Sequence, residues 1–364
     1  MNKFWAVIIA ITIIVGVFFV YNRITQNVQP MISLKIEGPI RQVAISQSGT
    51  WLSCVTSNGS TVIYNINTAK FINGNGLLNK NMLSAAFSSD SNLIAFGDDE
   101  GGVHLWDTNS EALQRSFENT NGEGEKLAVQ ALAFSPNSKL LAAGGEGGYL
   151  TVIDVVDNKV VHQLRGSFDD KYLNQFPPVN TIAFSNSGNL LAVGFGFYSA
   201  IHVWEVTEGK LISTFAESRD VKSIKFTAND DTVVFVYGTT QIEEWFIGTR
   251  KPKWKGYIST NNLPAASIST TGDYVAFSGS INSGLFAGLP LIGENNNNVY
   301  IANLSERIIS STNNQSGISL HSISASKTFG GNNDSVFALD FDSSNTLLVS
   351  GSSNGRINIY QPKN

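Results

Sequence analysis

Short apolar stretches alternate with polar turns along nearly the whole chain, and one phrase keeps returning. It runs apolar, two variable residues, apolar, any residue, Phe or Ile, then Ser, Thr or Asp. It appears as IRQVAIS from Ile40, MLSAAFS from Met82, VQALAFS from Val129 and VNTIAFS from Val179. It recurs as VKSIKFT from Val221, LPAASIS from Leu263 and VFALDFD from Val336. A polar turn follows each copy, then an apolar strand such as LIAFG, LLAAGG or LLVSGS. After a second turn comes a strand ending in an aromatic or aliphatic residue and its neighbour, as in Tyr64-Asn65, Trp106-Asp107, Ile153-Asp154 and Trp204-Glu205. Such runs, bounded by Gly, Ser, Asn and Asp, predict short strands.

The marker residues Ile45, Phe87, Phe134, Phe184, Phe226, Ile268 and Phe341 are separated by 42, 47, 50, 42, 42 and 73 positions. A period of ~40–45 with four strands per unit is that of a propeller blade. On these residues, and on VHLWD and IHVWE in particular, the chain resembles the WD-repeat β-propeller family over residues 31–364. The resemblance implies an all-β fold of seven four-stranded antiparallel blades. The family's Gly-His pair before the first strand is missing from every copy. The last copy stops at its third strand, INIYQPKN, while ISLKIEG after Met31 alternates like a strand with no partner of its own. Residues 31–38 are therefore expected to complete the last blade, which leaves the ring no open edge.

The first residues break the pattern. Phe4 to Tyr21 is 18 residues without a charge, about 27 Å as a helix, close to a bilayer core. A cleaved signal peptide needs a shorter apolar run and a small-x-small site, which the following VYNRITQN does not offer. The expectation is an uncleaved transmembrane signal anchor over residues 1–21, a linker over 22–30 that ends in Pro30, and the propeller from 31. Lys3 before the span and Arg23 after it favour a cytoplasmic amino terminus. That places the expected protein in a bacterial inner membrane, its propeller outside.

Composition removes several functions. Net charge is −5, and no basic stripe argues for nucleic acid as a partner. One cysteine, Cys54, forbids an internal disulfide framework. His104 and His202 each stand two residues before a strand-end Trp, a position held elsewhere by Thr151, Glu243 and Asn358, so blade packing is their expected role. Acidic pairs such as Asp98-Asp99 lack the spacing of a calcium loop, and the glycine-rich turns join strands rather than lead into a helix. No catalytic, metal or cofactor-binding set is expected.

Loops joining second to third strands, and fourth strands to the next blade, emerge on one face of a propeller, here called the top. Residues 166–178 and 281–297 fall there. Phe168, Tyr172 and Phe176 are candidate partner-binding residues in the first, and Leu285, Phe286, Leu289, Leu291 and Ile292 in the uncharged stretch of the second. The alternative for both groups is packing on the propeller itself. The expected function is a membrane-anchored interaction scaffold, or an accessory subunit binding other proteins of a membrane complex. The alternatives are an extracytoplasmic hydrolase or lactonase and a small-ligand sensor, both at the channel mouth.

Overall fold

The computed structural model describes residues 27–73, 80–166, 176–196, 201–215, 220–258, 263–279, 298–304, 308–313, 318–323, 327–329 and 334–362. Seven sheets, each built on four antiparallel strands, follow one another around a ring. The first four blades are contiguous in sequence: Ile40–Asn73, Met82–Glu118, Val129–Arg165 and Val179–Phe215, each four strands in chain order from the channel outward. Blade five, Val221–Ile258, has the same four strands and two more on its rim. Blade six spans Ala266–Phe329 and blade seven begins at Val336. The all-β, seven-bladed expectation holds. The described helical structure is one three-residue 3-10 turn at Glu146–Gly148, and no helix among the described residues is long and apolar enough to cross a membrane. Phe4–Tyr21, read above as an anchor, lies outside the described residues.

The repeated residues have identifiable work. The Ser, Thr or Asp closing each phrase turns the chain into the second strand. The Oγ atoms of Ser46, Ser88, Ser135, Ser185 and Ser269 accept from the backbone N–H five residues on, at 2.9–3.0 Å. In blade seven Asp342 Oδ1 does the same for Leu347 N at 2.8 Å. Three residues after each of these positions, and after Thr227, the backbone is left-handed: Gly49, Ser91, Ser138, Gly188, Asp230, Gly272 and Asn345. Gly, Asn and Asp tolerate that region best. At the next turn Asp107, Asp154 and Glu205 accept from backbone N–H groups two and three residues on. The acid after the strand-end residue is thus a turn lock.

Blades stack through apolar faces. In blades two, three, four and seven the second strand carries a glycine where the next blade's first residue presses in. A Cβ on Gly97, Gly144, Gly194 or Gly351 would lie 2.4–2.9 Å from Val129, Val179, Val221 or Ile40. The pair at the ring seam, Gly351 and Ile40, is built like the others. There Ile32–Lys35 pairs antiparallel with the third strand of blade seven, Ile32 facing Ile359 and Lys35 facing Arg356, and Ile32 and Leu34 pack on the seam's apolar cluster.

The 73-residue interval has a definite cause. The third strand of blade six ends at Asn303, and its fourth strand is only Lys327–Phe329. Between them Ile308–Asn313 and Ile318–Ile323 form a hairpin that leaves blade six. Ile318–Ile323 runs parallel to the outer strand of blade five, Lys255 opposite Leu320. Asn27–Val28, within the stretch read as a linker, then adds in parallel to Lys327–Phe329.

Candidate functional site

The seven inner strands enclose a channel whose cavity is about 850 Å³, within the usual range of ligand sites. Each inner strand starts at the top mouth. In six blades its second residue is a one-residue bulge, skipped by the ladder. Those residues are Arg41, Leu83, Gln130, Asn180, Lys222 and Phe337, and all line the channel. A bulge bends the strand and re-aims the extra side chain, so the repeat places six chosen side chains around one opening. Arg41 and Phe337 are exposed, Phe337 by 48%. Asp220, just ahead of blade five, accepts from Asn180 Nδ2 at 3.0 Å and pairs with Lys222 Nζ at 3.1 Å. Arg41 makes no hydrogen bond or ion pair among the described residues.

Deeper in the channel the fifth position of each phrase is alanine in blades one to four, as Ala44, Ala86, Ala133 and Ala183. Blade six has Ser267, while blades five and seven break the pattern with Lys225 and Asp340. Both line the channel. Asp340 Oδ2 accepts from Ile45 N of blade one at 3.0 Å, covering a free edge of that inner strand. Enclosure within the ring pushes the Asp340 carboxyl up to about 6, against the pull of the Ile45 and Phe341 N–H groups and of Lys225. Lys225 acts on Asp340 through space and has no hydrogen bond or ion pair among the described residues. Other inner edges are clasped in similar fashion. Gln42 Oε1 accepts from Ala85 N at 2.9 Å while its Nε2 donates to Ala85 O at 3.1 Å, and Ser223 Oγ accepts from Ile268 N at 3.1 Å.

Sequence reasoning missed Lys225 and Asp340, although the aligned copies show them as the two charged residues in a column otherwise of alanine and serine. Among the expected partner-binding residues, Phe176 is half-buried, with the Arg165 guanidinium 3.6 Å above its ring and 4.8 Å from that of Tyr149. Phe168, Tyr172, Leu285, Phe286, Leu289, Leu291 and Ile292 lie outside the described residues. His104 is buried in blade two. Its Nε2 meets Asp98 Oδ2 at 2.8 Å and its Nδ1 meets Ser116 Oγ at 2.7 Å. Asp98 is buried too. Burial pushes its carboxyl up, but His104 and the Gly102 and Glu100 N–H groups outweigh this and hold it below the usual range. His202 packs edge-on against Phe195 and Trp204. Cys54 is buried, and desolvation drives its thiol to about 12, which suppresses the thiolate. Among the described residues no three His, Cys, Asp or Glu side chains are placed to share a metal ion.

Comparison with known proteins places this geometry. The family model described as nucleolar protein 10-like, N-terminal domain, matches residues 23–262, more than half of the chain. The chain belongs to that family. A second model, the WD domain, G-beta repeat, matches residues 324–361 in blade seven, so the WD-repeat resemblance holds at both ends of the ring. The chain is 27% identical over 197 residues to periodic tryptophan protein 2 homolog of Dictyostelium discoideum, covering 54% of this chain and 20% of that protein. It is 25% identical over 179 residues to U3 small nucleolar RNA-associated protein 18 homolog of Mus musculus, covering 49% and 31%. It is 29% identical over 126 residues to guanine nucleotide-binding protein subunit beta-1 of Nicotiana tabacum, covering 34% and 31%. The matches thus span less than a third of each relative's length. A chain of the crystal structure of the mitotic checkpoint complex superposes with a TM-score of 0.69 at 16% identity, over 92% of each chain, which shows the shared fold alone.

These comparisons overturn the bacterial inner-membrane location expected from the sequence. The matched family is named for a nucleolar protein, and the Mus musculus relative is named for its association with a small nucleolar RNA. The expectation rested on Phe4–Tyr21 and its flanking Lys3 and Arg23; an apolar length that satisfies a bilayer is not itself an address.

Proposed function

We propose that the chain is a protein-interaction platform, one subunit of a larger assembly, read through the top mouth of its channel. The observation that carries this is the bulge ring. Around one opening the repeat holds backbone geometry constant and varies the side chain from cation to amide to aromatic. Binding residues carried at variable positions on a rigid scaffold are the usual division of labour. Relatives named as a guanine nucleotide-binding protein subunit and as a target of rapamycin complex subunit support the reading. The uncharged stretch around Leu285, Phe286, Leu289, Leu291 and Ile292 lies in sequence between the second and third strands of blade six. Together with Phe168 and Tyr172 it enters the proposal as further contact surface.

The test is isolation of the full chain from its own cells with its stoichiometric companions. Phe337→Ser at the mouth is expected to lose them, while Val156→Ser, an exposed valine on the opposite face, keeps them. A Phe337→Ser protein that retains every companion removes the mouth as the docking face.

A further inference from the structure

We infer that the upper channel is a receptor for an extended acidic protein segment, with Arg41 at the mouth and Lys225 inside as its two carboxylate-binding groups. This rests on the platform reading and adds the partner's chemistry to it.

The argument starts from which channel charges are already committed. Lys222 is paired with Asp220, 3.1 Å away. Asp340 is held by Ile45 N at 3.0 Å. Arg41 and Lys225 remain, each without a hydrogen bond or ion pair among the described residues, and both line the cavity. An enclosed ammonium loses hydration that a carboxylate can replace, and charge-assisted hydrogen bonds are the stronger kind. A concave, low-dielectric wall also strengthens the field of a cation inside it.

Spacing decides between a point ligand and a chain. Lys225 lies three residues further along its strand than the bulge position that Arg41 holds in blade one. At ~3.3 Å per residue that is about 10 Å of depth. An extended segment with carboxylates about three residues apart spans the same distance. At the same strand position blades one to four offer only the methyl groups of Ala44, Ala86, Ala133 and Ala183 to the cavity, which leave room for a backbone. The whole chain carries −5, so its outer surface repels an acidic segment that the mouth attracts. Such contrast directs encounter and selects partners.

The probe is fluorescein-labelled hexaglutamate, titrated with the purified full chain at low salt and read by fluorescence anisotropy. Binding is expected for hexaglutamate and not for hexaserine. Lys225→Met and Arg41→Met should each weaken it about tenfold or more, the loss of one charge-assisted contact, while Lys225→Arg retains it. Lys139→Met removes an exposed charge on the opposite face and should leave binding unchanged. If Lys225→Met fails to fold, the comparison of Lys225→Gln with Lys225→Arg carries the same contrast. No measurable hexaglutamate binding, equal affinity in Lys225→Met, or equal loss in Lys139→Met would each overturn the acidic-segment site. None of these touches the platform reading, which stands or falls on companion loss in Phe337→Ser.

Discussion

Glu244 shows how a single residue can be buried and charged in a blade that lacks the family's histidine. Its carboxylate accepts from Thr232 Oγ1 at 2.8 Å and from Trp254 Nε1, and pairs with Lys253 Nζ at 2.7 Å. Its neighbour Glu243, on the opposite face, accepts from Tyr237 OH at 2.7 Å and Trp245 Nε1 at 2.5 Å. Burial raises the Glu244 carboxyl, yet Lys253, Thr232 and Trp254 outweigh it and hold it below its ordinary value. Glu244→Leu would remove the bonds from the Thr232 hydroxyl and the Trp254 N–H together with the Lys253 pair, and urea denaturation should show a loss of about 2–4 kcal/mol. Asp340 carries the opposite sign. Its folded value of about 6 lies above the unfolded one near 3.8. Between those values the native state holds the proton that the unfolded state has released, so its contribution falls as pH rises through that window. Asp340→Asn should remove that contribution, seen in melts at pH 4 and pH 7 as a gain in stability at pH 7 relative to pH 4 when compared with the parent protein. At this scale the sequence is readable in columns rather than rows: Lys225 and Asp340 stand out against four alanines. That Asp340 meets Ile45 N of the next blade is invisible in one strand, because it depends on ring closure.

The strand-turn-strand element was the most legible level. The closing Ser of each phrase, the four-residue turn and the acid after the strand-end residue could all be read, since each acts within a few residues of itself. The glycine of the second strand needs the neighbouring blade to explain it. Gly194→Ala would put a methyl 2.7 Å from Val221 and 2.8 Å from Thr181. Both neighbours are packed, so overpacking should cost about 1–3 kcal/mol, measurable as a lower denaturation midpoint with no change in slope. The hairpin at 308–323 was the least legible element. Its pairing with blade five is parallel and on an outer edge, where no periodic apolar face is demanded and a strand signal cannot name its partner. The interval of 73 residues announced an insertion without saying where it lands.

For the whole molecule, the ring depends on one short strand from the far end of the chain. Ile32–Lys35 covers the third strand of blade seven, and Asn27–Val28 covers the short rim strand of blade six. A chain lacking residues 1–38 should expose the Arg356–Tyr360 edge and lose the packing of Ile32 and Leu34 on the seam. The expected result is aggregation or a broad, uncooperative melt. A synthetic peptide of residues 31–38, added in excess, should restore a single sharp transition by mass action. A truncated chain that melts as sharply as the parent would show that the seam closes without it.

That pairing also sets a schedule for synthesis. Blades one to four can close as each emerges, because all their strands are sequential neighbours. Ile32 is synthesised more than three hundred residues before Ile359, the residue it pairs with. At ~5–20 residues per second that wait is about 15–65 s. Throughout it an alternating apolar segment must stay unpaired, while half-built rings on neighbouring ribosomes present the same open edge. A crowded polysome is therefore where this protein risks exchanging its closing strand with a sibling.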